Sequence, residues 1–451
     1  TCRNHHNIMI FDTIVAPATP PGYGGVSIIR ISGNLAEIIL KKVSKKNISF
    51  LDRVATFSGF YNKSGEKIDD ALITFFKNPS SYTGEDVVEI SCHGNPFVVD
   101  QLVSVICNAG ARIAEPGEFT KRAFLNGKLD LIQAESVSKL IGSRSIKAAE
   151  INNKILSGAL SKKLKKIKES IIGVLAELEF EFDISEDELL RPNLINNSLN
   201  IINNSILKCI SLIVSYMEGR MYNHGAKVVI FGDPNVGKST LFNSLLEKDR
   251  AITSEIPGTT RDTVDAQIIL NGIPLLLVDT AGMRDSVNGL ESEGITRSIK
   301  EMEAADLLLH VVTAESTNGY HLDNIINKKR IVVFNKCDLQ LPSIKNNDVV
   351  KVSAINGNGI TNLKKIIGEE LISQNSSESD VVLTTRRQEV AITNCKESLL
   401  KARAQLEEKS PELELVSFDI RESINQIDVL LGKTTVDDIL NKVFSGFCVG
   451  K

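Results

Sequence analysis

The run 227–243, KVVIFGDPNVGKSTLFN, constrains the rest of the chain: an apolar β-branched strand leads into a glycine loop and the start of a helix. Gly232, Gly237, Lys238 and Ser239 match the phosphate-loop pattern GxxxxGK[ST] in full, in the strand-to-helix setting its mechanism requires. Glycines let the backbone curl until several N–H groups point at one anion, and the helix adds the positive end of its dipole. Lys238 is expected to meet the β- and γ-phosphates as a point charge and Ser239 to ligate magnesium, with Asn235, Val236, Gly237 and Thr240 completing the cradle. Around this loop, residues 224–372 alternate strands (KVVIF, DAQIIL, IPLLLV, LLLHVV, RIVVF, VVKV) with helical stretches, the pattern of a mostly parallel sheet with helices on both faces. Asn271-Gly272 marks a tight hairpin between the second and third strands.

The remaining parts of a guanine-nucleotide site follow in order at strand ends. Asp279-Thr280-Ala281-Gly282 comes after IPLLLV, where the aspartate can hold magnesium through water and a glycine N–H can sense the γ-phosphate. Asn335-Lys336-Cys337-Asp338 comes after RIVVF. Its aspartate can accept guanine N1–H and N2–H₂, a pairing adenine does not offer. Ser353-Ala354 completes the base pocket by resemblance to GTPases. Between the first two motifs lies Gly258-Thr259-Thr260-Arg261-Asp262, in the place of a switch loop, with Thr260 as the expected magnesium ligand. Met283 stands where Ras-like enzymes carry the glutamine that orients the attacking water, and a thioether cannot do that. The downstream acids Asp285, Glu291 and Glu293 are the candidates, and the residues alone do not choose among them.

A chain of 451 residues is too long for one ordinary core, so several domains are expected. Residues 1–8 are polar and patternless, a disordered tail. Residues 9–121 carry strand signals (VSIIRISG, ATFSGFYN, DDALITFF, DVVEISCH) with helical spacing only near 35–43 and 97–107, a small α+β domain. Amphipathic helices fill 122–222, the nucleotide (G) domain spans 223–373, and after the polar stretch 374–380 helical periodicity runs to 451. The economical architecture is multidomain: a P-loop GTPase domain inserted into an all-α helical domain built from both flanks, plus the N-terminal α+β domain. A net charge of -4 argues against a uniformly basic nucleic-acid binder, so any RNA contact must come from a local patch. The one lysine run, Lys162, Lys163, Lys165, Lys166 and Lys168, is taken as a solvated face, with an RNA-contacting stripe as the alternative. The acidic run from Glu179 to Glu188 is assigned no chemistry, and His310, inside an apolar strand, is expected in the core. Seven cysteines without metal-type spacing suit a reducing cytosol, and with no apolar run near membrane-spanning length and no signal peptide, a cytoplasmic protein with no membrane span is expected. Gly432-Lys433-Thr434 imitates a second phosphate loop, but Ile427 stands where its first glycine should be.

From about residue 9 to 451 the chain resembles the MnmE (TrmE) family of bacterial and organellar tRNA-modification GTPases. The resemblance is carried by TPPGYGGVSIIRISG, YTGEDVVEISCHGN, EFTKRAFLNGKLDLIQAE, GTTRD, DTAGMR and the terminal FCVGK. It implies a potassium-activated GTPase whose G domains pair across a homodimer, with the catalytic glutamate at Glu291. It also implies potassium against Asn235, with the rest of its shell from Ser254, Ile256 and Thr259, and a nucleotide contact along the whole loop Ser254, Glu255, Ile256, Pro257, Gly258, Thr259 and Thr260. The N-terminal domain is implied to dimerise and to bind 5-formyl-tetrahydrofolate or a related one-carbon folate through Arg30, Glu89, Lys128 and Lys451. Cys448 matches the family's C-terminal cysteine, where a nucleophilic role and a packing role stand side by side. Implied partners are an FAD-containing MnmG (GidA)-like protein, in a heterotetramer, and tRNA. The implied reaction adds a carboxymethylaminomethyl or aminomethyl group to C5 of the wobble uridine. Tyr23 and Asn95 depart from the family's usual arginine and glycine. Two rival classes share the G motifs, a ribosome-assembly GTPase of the Era or Der type and a regulatory switch without one-carbon chemistry.

Overall fold

A computed structural model describes residues 12–44, 50–184, 193–246, 265–280, 298–315, 328–340, 349–372, 381–434 and 437–450. It divides into two compact units: residues up to Ser138 together with those from Asp428 onward, and Lys139–Ile427.

The first unit is built on a six-stranded sheet in the order β3-β4-β5-β2-β1-β6. Its strands are β1 (Ile14–Pro17), β2 (Gly24–Ser32), β3 (Ala55–Tyr61), β4 (Lys67–Phe76), β5 (Val87–Gly94) and β6 (Arg112–Ile113). Strands β2 to β5 are the four runs expected from alternation. The four-residue β1 and two-residue β6 are too short to show any. Helices α1 (Ala36–Ser44) and α2 (Pro96–Ala109) bury Ile39, Leu40, Leu102 and Ile106 against the side chains Ile29, Ile31, Ile73 and Ile90 of one sheet face. On the other face Phe57 and Leu72, directly opposite one another on β3 and β4, are 62% and 48% exposed. Helix α3 (Glu118–Leu125) places Phe119 against Ile14, Ala16 and Ala114. Helix α4 (Leu131–Ile141) starts in this unit, and the last helix, Asp437–Phe444, returns to it, packing Leu440, Phe444 and Phe447 on Leu131 and Ala134.

The second unit holds another six-stranded sheet, β12-β11-β10-β7-β9-β8, with β7 (Ala226–Phe231), β8 (Asp265–Leu270), β9 (Ile273–Asp279), β10 (Leu307–Val312), β11 (Arg330–Phe334) and β12 (Val349–Lys351). All its pairings are parallel except β8 with β9, joined through Asn271 (φ 50°) and Gly272 (φ 81°) as a two-residue hairpin. The helical part comprises α5 (Ile146–Leu156), α6 (Ala159–Ile184) and α7 (Leu194–His224), which precede the sheet. Helix α8 (Lys238–Leu246) follows β7, α9 (Ile360–Leu371) follows β12, and α10 (Arg386–Leu406) and α11 (Leu413–Leu431) come after. Helices from both flanks of the G domain pack together. Arg403 on α10 donates to Asn203 on α7, Leu383 N–H to Ser215 on α7, and Arg421 on α11 pairs with Glu179 on α6. The G domain is thus inserted into an all-α domain. Helix α7 is long and apolar enough to cross a membrane by length and composition. It carries Asn196, Asn197, Asn200 and Asn204 on its exposed side and buries Ile202, Cys209 and Leu212, as a bundle helix does.

Where helices and G domain meet, glycines allow near-contact of backbones. A Cβ on Gly225 would lie 2.4 Å from the Pro274 carbonyl oxygen and one on Gly272 2.8 Å from Lys147 Cβ, while within the G domain one on Gly368 would lie 2.1 Å from Asn271 Nδ2. Met221 and Tyr222 of α7 join the G-domain core directly.

A charged cluster fastens the first unit. Arg122, 1% exposed, donates to Glu85 (3.1 Å) and Glu118 (2.8 Å), and Arg112 binds Glu118 (2.6 Å) and Asp12 (2.6 Å). Burial works against ionising Glu118, but hydrogen bonds from Arg112, the Glu115 amide and Arg122 outweigh it and hold the carboxyl at about 2, below its ordinary 4.5. Because this pKa is lowered on folding, the stabilisation is full above pH ~4.5 and fades as pH falls toward 2. Glu118→Gln is expected to destabilise the unit by about 3 kcal/mol near neutrality, the equivalent of that displacement, with the gap closing near pH 2. Urea unfolding across that pH range, read by hydrogen exchange in α3, checks it.

Candidate functional site

The glycine loop leaves β7 at its C-terminal end and enters α8 at Lys238. Gly237 is at φ 89° and the exposed Asn235 at φ 65°, so the loop curls over the helix N-terminus as phosphate binding requires. Lys238 is buried and its ammonium donates to the carbonyls of Gly232 (3.1 Å) and Asp233 (2.8 Å). Ser239 Oγ donates to Asp279 Oδ2 at 2.7 Å, which brings the two expected magnesium-side oxygens together at the ends of β7 and β9. Thr280 Oγ1 donates to the Ile230 carbonyl (3.0 Å) and fixes the turn after Asp279. Thr240 is exposed on α8, and Val236 is buried beneath the loop.

The base motif is tied to this loop. Asn335, 2% exposed, donates through Nδ2 to the Val236 carbonyl (2.9 Å), and its Oδ1 accepts the Ala354 amide (3.0 Å). Lys336, at φ 61°, donates to the Asn235 carbonyl (2.9 Å). Asp338 is exposed beyond it, and Ser353 is buried with its Oγ accepting the Asn356 amide. The structure therefore gathers Asn235 to Thr240, Asp279, Thr280, Asn335, Lys336, Asp338, Ser353 and Ala354 along one end of the sheet. Ser254, Glu255, Ile256, Pro257, Gly258, Thr259, Thr260, Ala281, Gly282 and Glu291 lie outside the described residues, as do Met283, Asp285, Glu293 and the stretch 374–380. His310 is a core residue, stacked on Phe231 with centroids 4.7 Å apart. Gly432, at φ 81° against Phe124 and Leu131, ends a helix, so Gly432-Lys433-Thr434 forms no phosphate loop.

A second polar pocket lies in the first unit. Arg30 on β2 and Glu89 on β5 are cross-strand partners, and Arg30 donates to Glu89 Oε1 through Nε (3.0 Å) and Nη2 (2.8 Å), leaving Oε2 outside that pair. The guanidinium lies 5.4 Å from the Tyr82 ring centroid and 5.7 Å from that of Phe119, and Nη1 reaches the Gly450 carbonyl (3.4 Å). The chain's end is seated closely: a Cβ on Gly450 would lie 2.0 Å from the Pro17 carbonyl oxygen, and Gly117 N–H donates to the Cys448 carbonyl (3.4 Å). Lys128 donates to the Pro79 carbonyl (2.8 Å), Cys448 is exposed, and Lys451 lies outside the described residues. Tyr82, Phe119 and Gly450 were given no role by sequence reasoning. Their only signal was membership of the runs YTGED, EFTKRAF and FCVGK.

Two family profiles match: "GTP-binding protein TrmE N-terminus" over residues 13–128 and "MnmE helical domain" over 131–448. A curated relative from Aquifex aeolicus named tRNA modification GTPase MnmE is 38% identical, covering 98% of this chain and 100% of its own length. Relatives of the same name from Thermotoga petrophila and Moorella thermoacetica are each 39% identical over 98% of this chain and 100% of theirs. Among solved structures, the G domain of the T. maritima FeoB iron transporter is 24% identical over 32% of this chain and 98% of that chain, with a TM-score of 0.25, a likeness too slight to bear on function. With both profiles matched and relatives aligned end to end, the chain belongs to the MnmE (TrmE) family of tRNA modification GTPases.

Proposed function

We propose that the chain is a homodimeric, potassium-activated GTPase that works with an FAD-containing MnmG-like partner. Together they add a carboxymethylaminomethyl or aminomethyl group to C5 of the wobble uridine of certain tRNAs, drawing one carbon from a formyl-tetrahydrofolate. The observation that favours this over a bare switch is the second pocket, in which the C-terminal Gly450 closes on Arg30 beside Glu89. Free cysteines among the described residues agree with a reducing, cytoplasmic setting.

In hydrolysis, Lys238 turns its ammonium from the loop carbonyls to the β- and γ-phosphate oxygens. Ser239, Asp279 and Thr260 supply hard oxygens, a donor set that suits magnesium and not a soft metal. Asn235 and the loop residues Ser254, Ile256 and Thr259 would hold potassium. When bound, the two cations neutralise charge building on the phosphates. Asp338 accepts the guanine N1–H and N2–H₂, with Ala354 held behind the base by Asn335. Glu291 orients water, the task Met283 cannot perform.

In the N-terminal pocket, Glu89 Oε2 suits the donor edge of a pterin, while Lys128 and Lys451 suit glutamyl carboxylates. Arg30 aims Glu89 through two hydrogen bonds to Oε1, and Tyr82 and Phe119 flank the guanidinium. The exposed sheet face around Phe57 and Leu72 supports pairing of two such units.

Asp338→Asn, whose amide oxygen still accepts one of the two guanine donors, should weaken GTP binding by about 10- to 100-fold, the worth of one hydrogen bond to a charged group, and shift preference to xanthosine nucleotides, measured by calorimetry with both. Glu291→Ala should cut turnover by roughly 10² to 10⁴ with GTP affinity unchanged, and the wild type should slow when sodium replaces potassium; normal hydrolysis by the variant assigns the water elsewhere. Arg30→Ala should abolish formyl-tetrahydrofolate uptake in calorimetry. The modification reading falls if the wild type takes up none.

A further inference from the structure

The chain carries a net charge of -4, yet residues 139–168 hold nine lysines and arginines against the single acid Glu150. The core of this excess is the first half of α6, where Lys162, Lys165 and Lys166 are exposed. These three lie within about 6 Å along the helix axis, one turn apart. Among the described residues none of them makes a side-chain hydrogen bond or ion pair, and Glu169, one turn further on, pairs with neither Lys165 nor Lys166. Charges elsewhere on exposed helices do pair, as in Lys41 with Glu37 and Lys365 with Glu369. Lys163 sits half-buried at their edge, and burial lowers its pKa below the ordinary lysine value. Exposed Lys154, on the last turn of α5, extends the basic surface across the Ser157-Gly158 turn, whereas Lys147 is paired with Glu150 (3.7 Å). Like charges at one-turn spacing destabilise a helix, so an unpaired stack is retained against its own repulsion.

The apolar side of this helix is spent on the bundle: Leu160, Leu164, Ile167 and Ile171 are at most 1% exposed. Among the described residues 159–171 no large apolar side chain is exposed, so the stretch that carries the three lysines has no greasy face to enter a lipid headgroup layer, which a membrane-surface helix needs. Phosphates on an RNA backbone require only the exposed ammonium groups.

We propose that the basic face of the α5–α6 hairpin, centred on Lys162, Lys165 and Lys166, is a docking surface for the phosphate backbone of tRNA. This rests on the tRNA-modification reading above and adds to it a place on this chain where the RNA is gripped. The contact is to backbone and carries no base specificity, so it serves many tRNAs alike and leaves the choice of base to other contacts.

The test uses the full chain with Lys162, Lys165 and Lys166 each changed to Gln, and a companion with each changed to Arg. Binding of a tRNA transcript with an unmodified wobble uridine is measured by fluorescence anisotropy over a salt series. The Gln variant should bind at least about tenfold more weakly near 0.1 M salt, with the log–log salt slope flattened by about two, and the Arg variant should bind like wild type. GTP hydrolysis should be unchanged in both, and thermal unfolding should come no lower than in wild type, slightly higher in the Gln variant as the repulsion is removed. Equal affinity and slope for wild type and the Gln variant, at whatever strength, overturn the proposal. So does loss of binding to phosphatidylglycerol vesicles with tRNA binding intact. Mass spectrometry of tRNA from cells relying on the wild-type chain separates the two failures: wobble modification present with the Gln variant binding normally sinks only the docking surface, whereas no modification and no tRNA binding by wild type sinks the reading beneath it too.

Discussion

The nucleotide site depends on one buried carboxamide. Asn335 spans from the end of β11 to the glycine loop through Nδ2 and to the loop after β12 through Oδ1, so phosphate cradle, base reader and base backing are fixed to one another by a single side chain. The geometry leaves no spare volume: a Cβ on Gly237 would lie 2.4 Å from Asn335 Nδ2. A buried amide is tolerated only when its donors and acceptors are met, and here both ends are. Parallel strands make this possible, because β7, β11 and β12 all end on the same side of the sheet.

The same logic recurs in the N-terminal unit with charge in place of dipole. Arg122 is almost wholly buried and draws Glu85, Glu118 and Asp12 from three separate stretches of chain. Tyr82, beside the Arg30 guanidinium, is held from the neighbouring helix by Thr120 (2.9 Å). Arg30 and its neighbours are therefore positioned by a layer of ionic and hydroxyl contacts behind them, while the sheet supplies the Arg30–Glu89 register.

Much of this was legible in the sequence because the relevant signals are local. GxxxxGK[ST] encodes its own loop, six apolar runs encode six strands, and Asn271-Gly272 encodes the hairpin that the left-handed φ values require. What was illegible is long-range. Nothing in the sequence near Gly450 indicates that its carbonyl meets Arg30, which is 420 residues away, and nothing in EFTKRAF indicates that Phe119 faces a guanidinium. Strands β1 and β6 escaped because two- and four-residue strands have no period to detect. The helical bundle was readable from its amphipathic spacing, but the C-terminal segment joins the N-terminal unit from Asp428 onward, which periodicity cannot express.

The glycine-lined junction between α7 and the β8–β9 hairpin bears on how force travels. Strand β9 is about 20 Å long, with Asp279 beside the phosphate loop at one end and Pro274 pressed on Gly225 at the other. Close-packed contacts of this kind have no slack to take up a small shift. A displacement of β9 along its axis would therefore press on the end of the 31-residue helix α7 and not be absorbed at the junction.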